Sequence, residues 1–182
     1  MKNPFETFGP FPLKREQDYA ISTDDIKDFW DEVTEKEAGL ESAIGVYIIS
    51  VRHGTSSKPW YVGKTDTGFR TRLVGHAASL RLFPGLNSRA PKGHLEVLFI
   101  AQRTRDGRGF KSPRKSRRKS KKSRNSIDFL ENLLIGACFA QNKDLLNVQK
   151  MAKYRDVSVP GLMNDPKGKP KHPAEYLRKL LA

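Results

Sequence analysis

Apolar positions follow two periodicities along this chain, and the switches between them outline its elements. Behind Ser22-Thr23-Asp24-Asp25, a helix start with acids in the first turn, Ile26, Phe29, Trp30 and Val33 recur on one helical face. That spacing predicts an amphipathic helix ending near Gly39. Two runs rich in strand formers follow, Gly45 to Val51 and Trp60 to Val62, with a Gly/Ser/Lys-containing turn from His53 to Pro59. They predict a hairpin. Phe69 to Leu82 mixes apolar and basic residues at helical spacing, and Pro84-Gly85 is expected to end that helix. His94 to Ala101 passes into the apolar run Val97-Leu98-Phe99-Ile100 and predicts a third strand.

From Ser126 to Gln141 the chain is apolar almost all round, the mark of a central, buried helix. A short strand near Leu145 to Val148 follows, then a tail punctuated by Pro160, Pro166, Pro170 and Pro173, and a last short helix from Ala174 to Leu181. Ahead of the first helix, prolines at 4, 10 and 12 interleave with phenylalanines at 5, 8 and 11, which reads as an extended arm packing its rings on the domain. No internal repeat is visible. A chain of 182 residues suits one compact mixed α+β domain. We divide it into an arm and helix over 1–43, a core over 44–150 and a C-terminal extension over 151–182.

Charge changes this picture. The net charge is +14 and the pI about 10.0, which points to a polyanionic partner. Twelve Lys and Arg stand against one acid, Asp106, between Arg103 and Arg124, so this stretch carries most of the excess. Nearly free of apolar residues, it reads as a flexible loop. The single cysteine, Cys138, excludes an intramolecular disulfide and a multi-cysteine zinc site, and its apolar setting makes it a small core residue rather than a reactive thiol. No apolar run is long enough to span a bilayer, and Met1-Lys2-Asn3-Pro4-Phe5 lacks the apolar stretch of a signal peptide. The expectation is a soluble intracellular protein without a membrane partner: cytoplasmic or nucleoid-associated, or nuclear in a eukaryote.

Three features carry candidate chemistry. Gly45-Val46-Tyr47 and Tyr61-Val62-Gly63-Lys64 place two tyrosines on neighbouring strands of one hairpin, although each alone would pass as a half-buried strand residue. Arg72 and His76 form an i, i+4 pair that can reach one point, or simply a solvated helix face. Glu131 sits among Phe129, Leu130, Leu133, Leu134 and Ile135, where an ionised carboxylate costs several kcal/mol unless a cation compensates it. The alternative is that Glu131 lies on an exposed edge beside Asp128.

Taken in order, Gly45-Val46-Tyr47, Tyr61-Val62-Gly63, Arg72, His76, Glu131 and Asn147 resemble the GIY-YIG nucleases, over Ile44 to Val148. The resemblance implies a small three-stranded antiparallel sheet flanked by helices, with the basic stretch as an elaboration. It implies hydrolysis of DNA phosphodiester bonds, with double-stranded DNA as the partner. In that scheme Tyr47 orients or deprotonates the attacking water, assisted by Tyr61 or His76. Lys64 lowers the Tyr47 pKa or holds the phenol as a relay, because free tyrosine titrates only near 10. Arg72 holds the scissile phosphate through its guanidinium fork, with Arg70 as a rival for the role. Glu131 is the one protein ligand of a Mg²⁺ or Mn²⁺ ion, Asn147 contacts phosphate or braces the site, and Gly63 lets the backbone pass close to substrate.

The motif stretches depart from compact members of that family in a wider gap between the tyrosines and one extra residue before the arginine helix. Within the basic tract, Arg114, Lys115, Arg117, Arg118, Lys119, Lys121 and Lys122 are expected to pair with phosphates flanking the cut. Alternatives are a solvated insertion or a localisation signal. His53, His94 and His172 are expected to be surface side chains. A free-standing, restriction-like enzyme, monomeric or homodimeric, is one expectation; a non-catalytic DNA- or RNA-binding module that uses the 103–124 tract is the other.

Overall fold

The computed structural model describes residues 4–15, 21–74, 77–113, 121–147, 154–156, 158–160 and 172–181. In chain order its elements are β1 (Phe5–Leu13), α1 (Thr23–Lys36), a short 3-10 turn (Leu40–Ser42), β2 (Gly45–His53), β3 (Ser56–Thr65) and α2 (Phe69–Val74). Then come α3 (Ala77–Arg89), β4 (His94–Gln102), α4 (Lys121–Gln141) and α5 (His172–Leu181). The strands form one antiparallel sheet in the order β1-β4-β2-β3.

That sheet has four strands, not the expected three, because the Pro/Phe arm is itself a strand. β1 pairs with β4 from Phe5↔Gln102 to Leu13↔Leu95, with an irregularity between Phe8 and Phe11. Prolines fit there because an edge strand leaves half of its N–H positions without a strand partner. Phe8, Phe11 and Leu13 bury on one side of the sheet, as the ring-packing arm required.

The hairpin is tighter than the sequence suggests. His53 pairs with Ser56 across Gly54-Thr55, so residues 56–59, expected as turn, lengthen β3 instead. Their polar side chains carry no strand alternation, which is why they read as loop.

α1 starts as expected: Ser22 accepts from the Asp25 N–H at 3.0 Å and its own N–H donates to the Asp25 carboxylate at 3.0 Å, a reciprocal cap. The next helical stretch is described as α2 and α3, with residues 75 and 76 between them outside the described residues, and Pro84 lies inside α3 rather than ending it. Leu82, Leu86 and Ala90 are buried, and that packing holds the helix through a residue that locally disfavours it. The expected strand at Leu145 to Val148 is absent over 145–147, and Val148 lies outside the described residues. Instead, residues 142–147 run along the β3 edge, where the Asn142 Nδ2 donates to the Pro59 carbonyl and the Leu146 N–H to the Trp60 carbonyl, both at 2.8 Å.

Two hydrophobic clusters occupy opposite sides of the sheet. One gathers Trp30, Val33, Tyr47, Ile49, Phe69, Leu86, Val97 and Phe99 beneath α1, α2 and α3. The other packs Val46 and Val62 against Ile127, Ile135, Cys138 and Phe139 of α4. Burial pushes the Cys138 thiol up to about 11, which suits an inert core residue. α4 begins five residues earlier than expected and is not buried all round: Phe129 and Leu133, on its outer side, are 69% and 56% exposed.

One contact fixes how β2 meets β3. Gly63 stands opposite Tyr47, and a Cβ at Gly63 would lie under 3.0 Å from Cε1, Cζ and Oη of that ring. Thus Gly63 makes room for the Tyr47 ring. Gly63→Ala should destabilise the fold by about 2–3 kcal/mol through overpacking, measured by urea unfolding. In a Tyr47→Ala background the same change should cost less than about 1 kcal/mol; equal losses in the two backgrounds would contradict the contact.

Candidate active site

β2 and β3 present Tyr47 and Tyr61 on the same side of the sheet, two residues apart in register, with ring centroids 6.0 Å apart. Tyr47 is 1% exposed, whereas Tyr61 is half-buried. Phe69, at the start of α2, meets the Tyr47 ring edge-on at 6.3 Å and an interplanar angle of 87°. One turn further along α2, Arg72 reaches the Tyr47 hydroxyl, which interacts with both Arg72 and Tyr61. Arg70 is exposed, whereas Arg72 is half-buried against the Tyr47 hydroxyl. The Arg72 Nε is buried and has no hydrogen-bond partner among the described residues.

Burial dominates the electrostatics of Tyr47 and pushes its pKa well above the tyrosine range; Tyr61 adds to the shift and Arg72 opposes it. The phenol is therefore neutral at physiological pH and suited to donating or relaying a hydrogen bond. Its neighbouring cation is Arg72, not Lys64 as the sequence suggested.

Lys64 lies on the other side of the sheet, under α4. Its ammonium pairs with Asp128 and stands 3.2 Å from Glu131 Oε2. Desolvation lowers the Lys64 pKa, but the hydrogen bond that Lys64 donates to Asp128 and the charge of Glu131 outweigh it and leave the pKa raised. Glu131 is 7% exposed, so the buried position holds and the exposed-edge alternative does not. Asp128 is the participant that the sequence reading left out of the site; its i, i+3 relation to Glu131 was the available signal.

Asn147 acts as a brace. Its Nδ2 donates to the Val62 carbonyl at 2.6 Å, and its Oδ1 accepts from the Val62 N–H at 2.9 Å, as a neighbouring strand would. The expected residues thus fall into two groups, Tyr47–Tyr61–Arg72 on one side of β3 and Lys64–Asp128–Glu131 on the other. They converge on adjacent residues, because the Tyr47 ring covers Gly63 and the next residue is Lys64.

His76 lies outside the described residues, as do Arg114, Lys115, Arg117, Arg118 and Lys119. Lys121 and Lys122 form the first turn of α4 rather than part of a loop. At the beginning of the basic stretch Arg103 bridges to Phe110 and closes a hydrogen-bonded turn. His53 ends β2 and His94 opens β4, both exposed.

Among the described residues no three or more His, Cys, Asp or Glu side chains gather into a metal cage. The Glu131 carboxylate, with Asp128 one turn away, faces the Lys64 ammonium. No family model matches the chain, and neither a curated protein nor a solved structure matches it.

Two predictions follow from these settings. Because the folded pKa of Tyr47 exceeds its unfolded value near 10, its contribution to stability is whole below about pH 10 and is lost as pH rises through the folded value. In an absorbance titration, wild type minus Tyr47→Phe should show no phenolate step around pH 10; a step there or lower would mean that Arg72 outweighs burial. Asn147→Ala should cost about 2 kcal/mol in urea unfolding, since both Val62 backbone groups lose a partner. A change below about 0.5 kcal/mol would remove Asn147 as the brace of β3.

Proposed function

We propose that this chain is a metal-dependent endonuclease of the GIY-YIG type that hydrolyses phosphodiester bonds in double-stranded DNA. One observation carries the reading: the Arg72–Tyr47 contact on one side of β3 and the buried Glu131 carboxylate on the other flank consecutive residues, Gly63 and Lys64. Hydrolysis needs a held phosphate, an oriented water and positive charge at the developing pentacovalent centre.

Arg72 supplies the hold, because its fork can take two phosphate oxygens and its Nε has no partner among the described residues. Tyr47, kept neutral by burial, donates a hydrogen bond instead of removing a proton. Tyr61, half-buried beside it, is the phenol placed to orient water. Glu131 would hold a Mg²⁺ or Mn²⁺ ion, which adds positive charge at the phosphate when bound. Lys64 keeps the two carboxylates of α4 from repelling each other. The excess of basic residues between 103 and 124 supports a polyanionic substrate. A restriction-like role, acting as a monomer or a homodimer, belongs to the same proposal.

A second reading is a DNA- or RNA-binding module that does not cut. It is favoured by the Lys64–Glu131 contact at 3.2 Å, which already compensates the buried carboxylate without a metal.

Supercoiled plasmid separates the two readings. Wild type should nick or linearise it with Mg²⁺ and leave it intact in EDTA. Glu131→Gln and Arg72→Ala should each lower the rate by about 100-fold or more, with Glu131→Gln retaining binding. Plasmid that is bound yet uncut across several divalent ions would leave the binding module in possession.

A further inference from the structure

The turn that follows β4 is built to hold two arginines away from the domain. The Arg103 N–H donates to the Pro4 carbonyl at 2.9 Å, and the Arg103 guanidinium lies 4.3 Å from the Phe110 ring and 5.2 Å from the Phe8 ring, with its Nε on Glu6 at 2.6 Å. Beyond this anchor the Thr104 N–H donates to the Gly109 carbonyl at 2.9 Å and the Gly107 N–H to the Thr104 carbonyl at 3.1 Å. Gly107 takes the left-handed conformation, φ 70°, that the turn needs.

Asp106 fastens the interior: one carboxylate oxygen accepts from the Thr104 hydroxyl at 2.6 Å and from the Arg108 N–H at 3.3 Å. At the far end the Lys111 N–H donates to the Gln102 carbonyl at 2.8 Å and the Lys111 carbonyl accepts from the Ile44 N–H at 2.9 Å, so the turn is tied back into the sheet. Arg105 and Arg108 are exposed, and neither makes an ion pair among the described residues.

We propose that Arg105 and Arg108 form a preset clamp for the phosphodiester backbone of duplex DNA, separate from the cleavage site. The clamp rests on the DNA-binding part of the proposed function but not on cleavage. A long charged side chain on a mobile loop gives up conformational freedom on binding, whereas here the backbone is ordered beforehand and only the side chains remain to be fixed. Of the nearby acids, Glu6 is paired with Arg103, and Asp106, whose Oδ1 is engaged by the loop itself, leaves the Arg105–Arg108 pair in excess by one positive charge.

Position supports a flanking contact. Phe99 pairs with Tyr47, and Arg105 lies six residues further along the chain. At about 3.3 Å per residue Arg105 is no more than about 20 Å from Phe99, with about 5 Å more across to Tyr47 on the neighbouring strand. That is at most roughly seven base pairs along a duplex. Phe110, which carries the turn, packs on the same hydrophobic cluster as Tyr47, so the base of the turn lies on the Tyr47 side of the sheet.

The test is binding of labelled duplex DNA in EDTA, read by anisotropy at several salt concentrations. Arg105→Ala/Arg108→Ala should flatten the slope of log Kobs against log[salt] by about 1.8, two phosphate contacts' worth. Lys27→Ala/Lys92→Ala removes the same charge from two other exposed positions and should change the slope by less than half as much. Asp106→Ala gives a test of opposite sign: a charge-only account predicts tighter binding, and the clamp predicts binding weaker by about threefold or more. A slope indifferent to the arginine pair, an equal effect of the lysine pair, or tighter binding by Asp106→Ala would each overturn the proposal. Plasmid cleavage by a protein whose salt slope ignores the arginines would sink the clamp and leave the nuclease standing. The expected slope change in a protein that never cuts would do the reverse.

Discussion

The Tyr47 ring lies against bare backbone at Gly63, in space that a side chain on β3 would otherwise fill. Register in an antiparallel pair is set by which side chains meet, and a slip of one residue would bring Val62 or Lys64 beneath the ring and send each β3 side chain to the wrong side. With the ring fixed, Phe69 packs edge-on against it, and α2 is positioned through that residue. Arg72 then arrives at the phenol hydroxyl as a consequence of helix geometry. The absence of one methyl-sized group therefore organises β2, β3, α2 and the guanidinium together.

The two cations near this point have opposite surroundings. Arg72 stands beside the Tyr47 phenol and makes no ion pair among the described residues, so its charge is available to an incoming anion. Lys64 stands between two carboxylates, so its charge is already matched. Burying Glu131 without Lys64 would leave an uncompensated charge under α4. Placing the matched cation and the unmatched one on opposite sides of the sheet keeps the carboxylates from neutralising Arg72.

Legibility of these features in the sequence followed local periodicity. α1, β2 and β4 were visible because their buried residues recur at the helical or strand period and their starts carry capping or β-branched residues. Tyr47, Tyr61, Arg72 and Glu131 could be singled out by residue type and order, and the pairing of Arg72 with Tyr47 agrees with that choice. What stayed hidden depends on partners distant in sequence. β1 looks like a loop because its prolines break strand propensity, and only β4 makes it a strand. Pro84 continues a helix because Leu82 and Leu86 are buried by other elements. Asn147 mimics a strand with its side-chain amide, for which no backbone pattern exists. Lys64 sits beside Tyr47's partner in sequence, yet the pleat sends it to the opposite side.

The sheet also imposes an order of assembly on a growing chain. Arg103 and Glu6, which join the end of β4 to β1, are 97 residues apart. During synthesis β1 is made first and its pairing partner only after α1, β2, β3, α2 and α3 have emerged, so its aromatic side chains must wait without their final cover. Contacts of such long separation slow folding, because a large loop must close before they return any free energy. The hairpin of β2 and β3 is local and can form early, whereas the strand at the beginning of the chain is a late-arriving piece. Its prolines, which weaken it as a strand, also make it a poor template for pairing with other molecules during that delay.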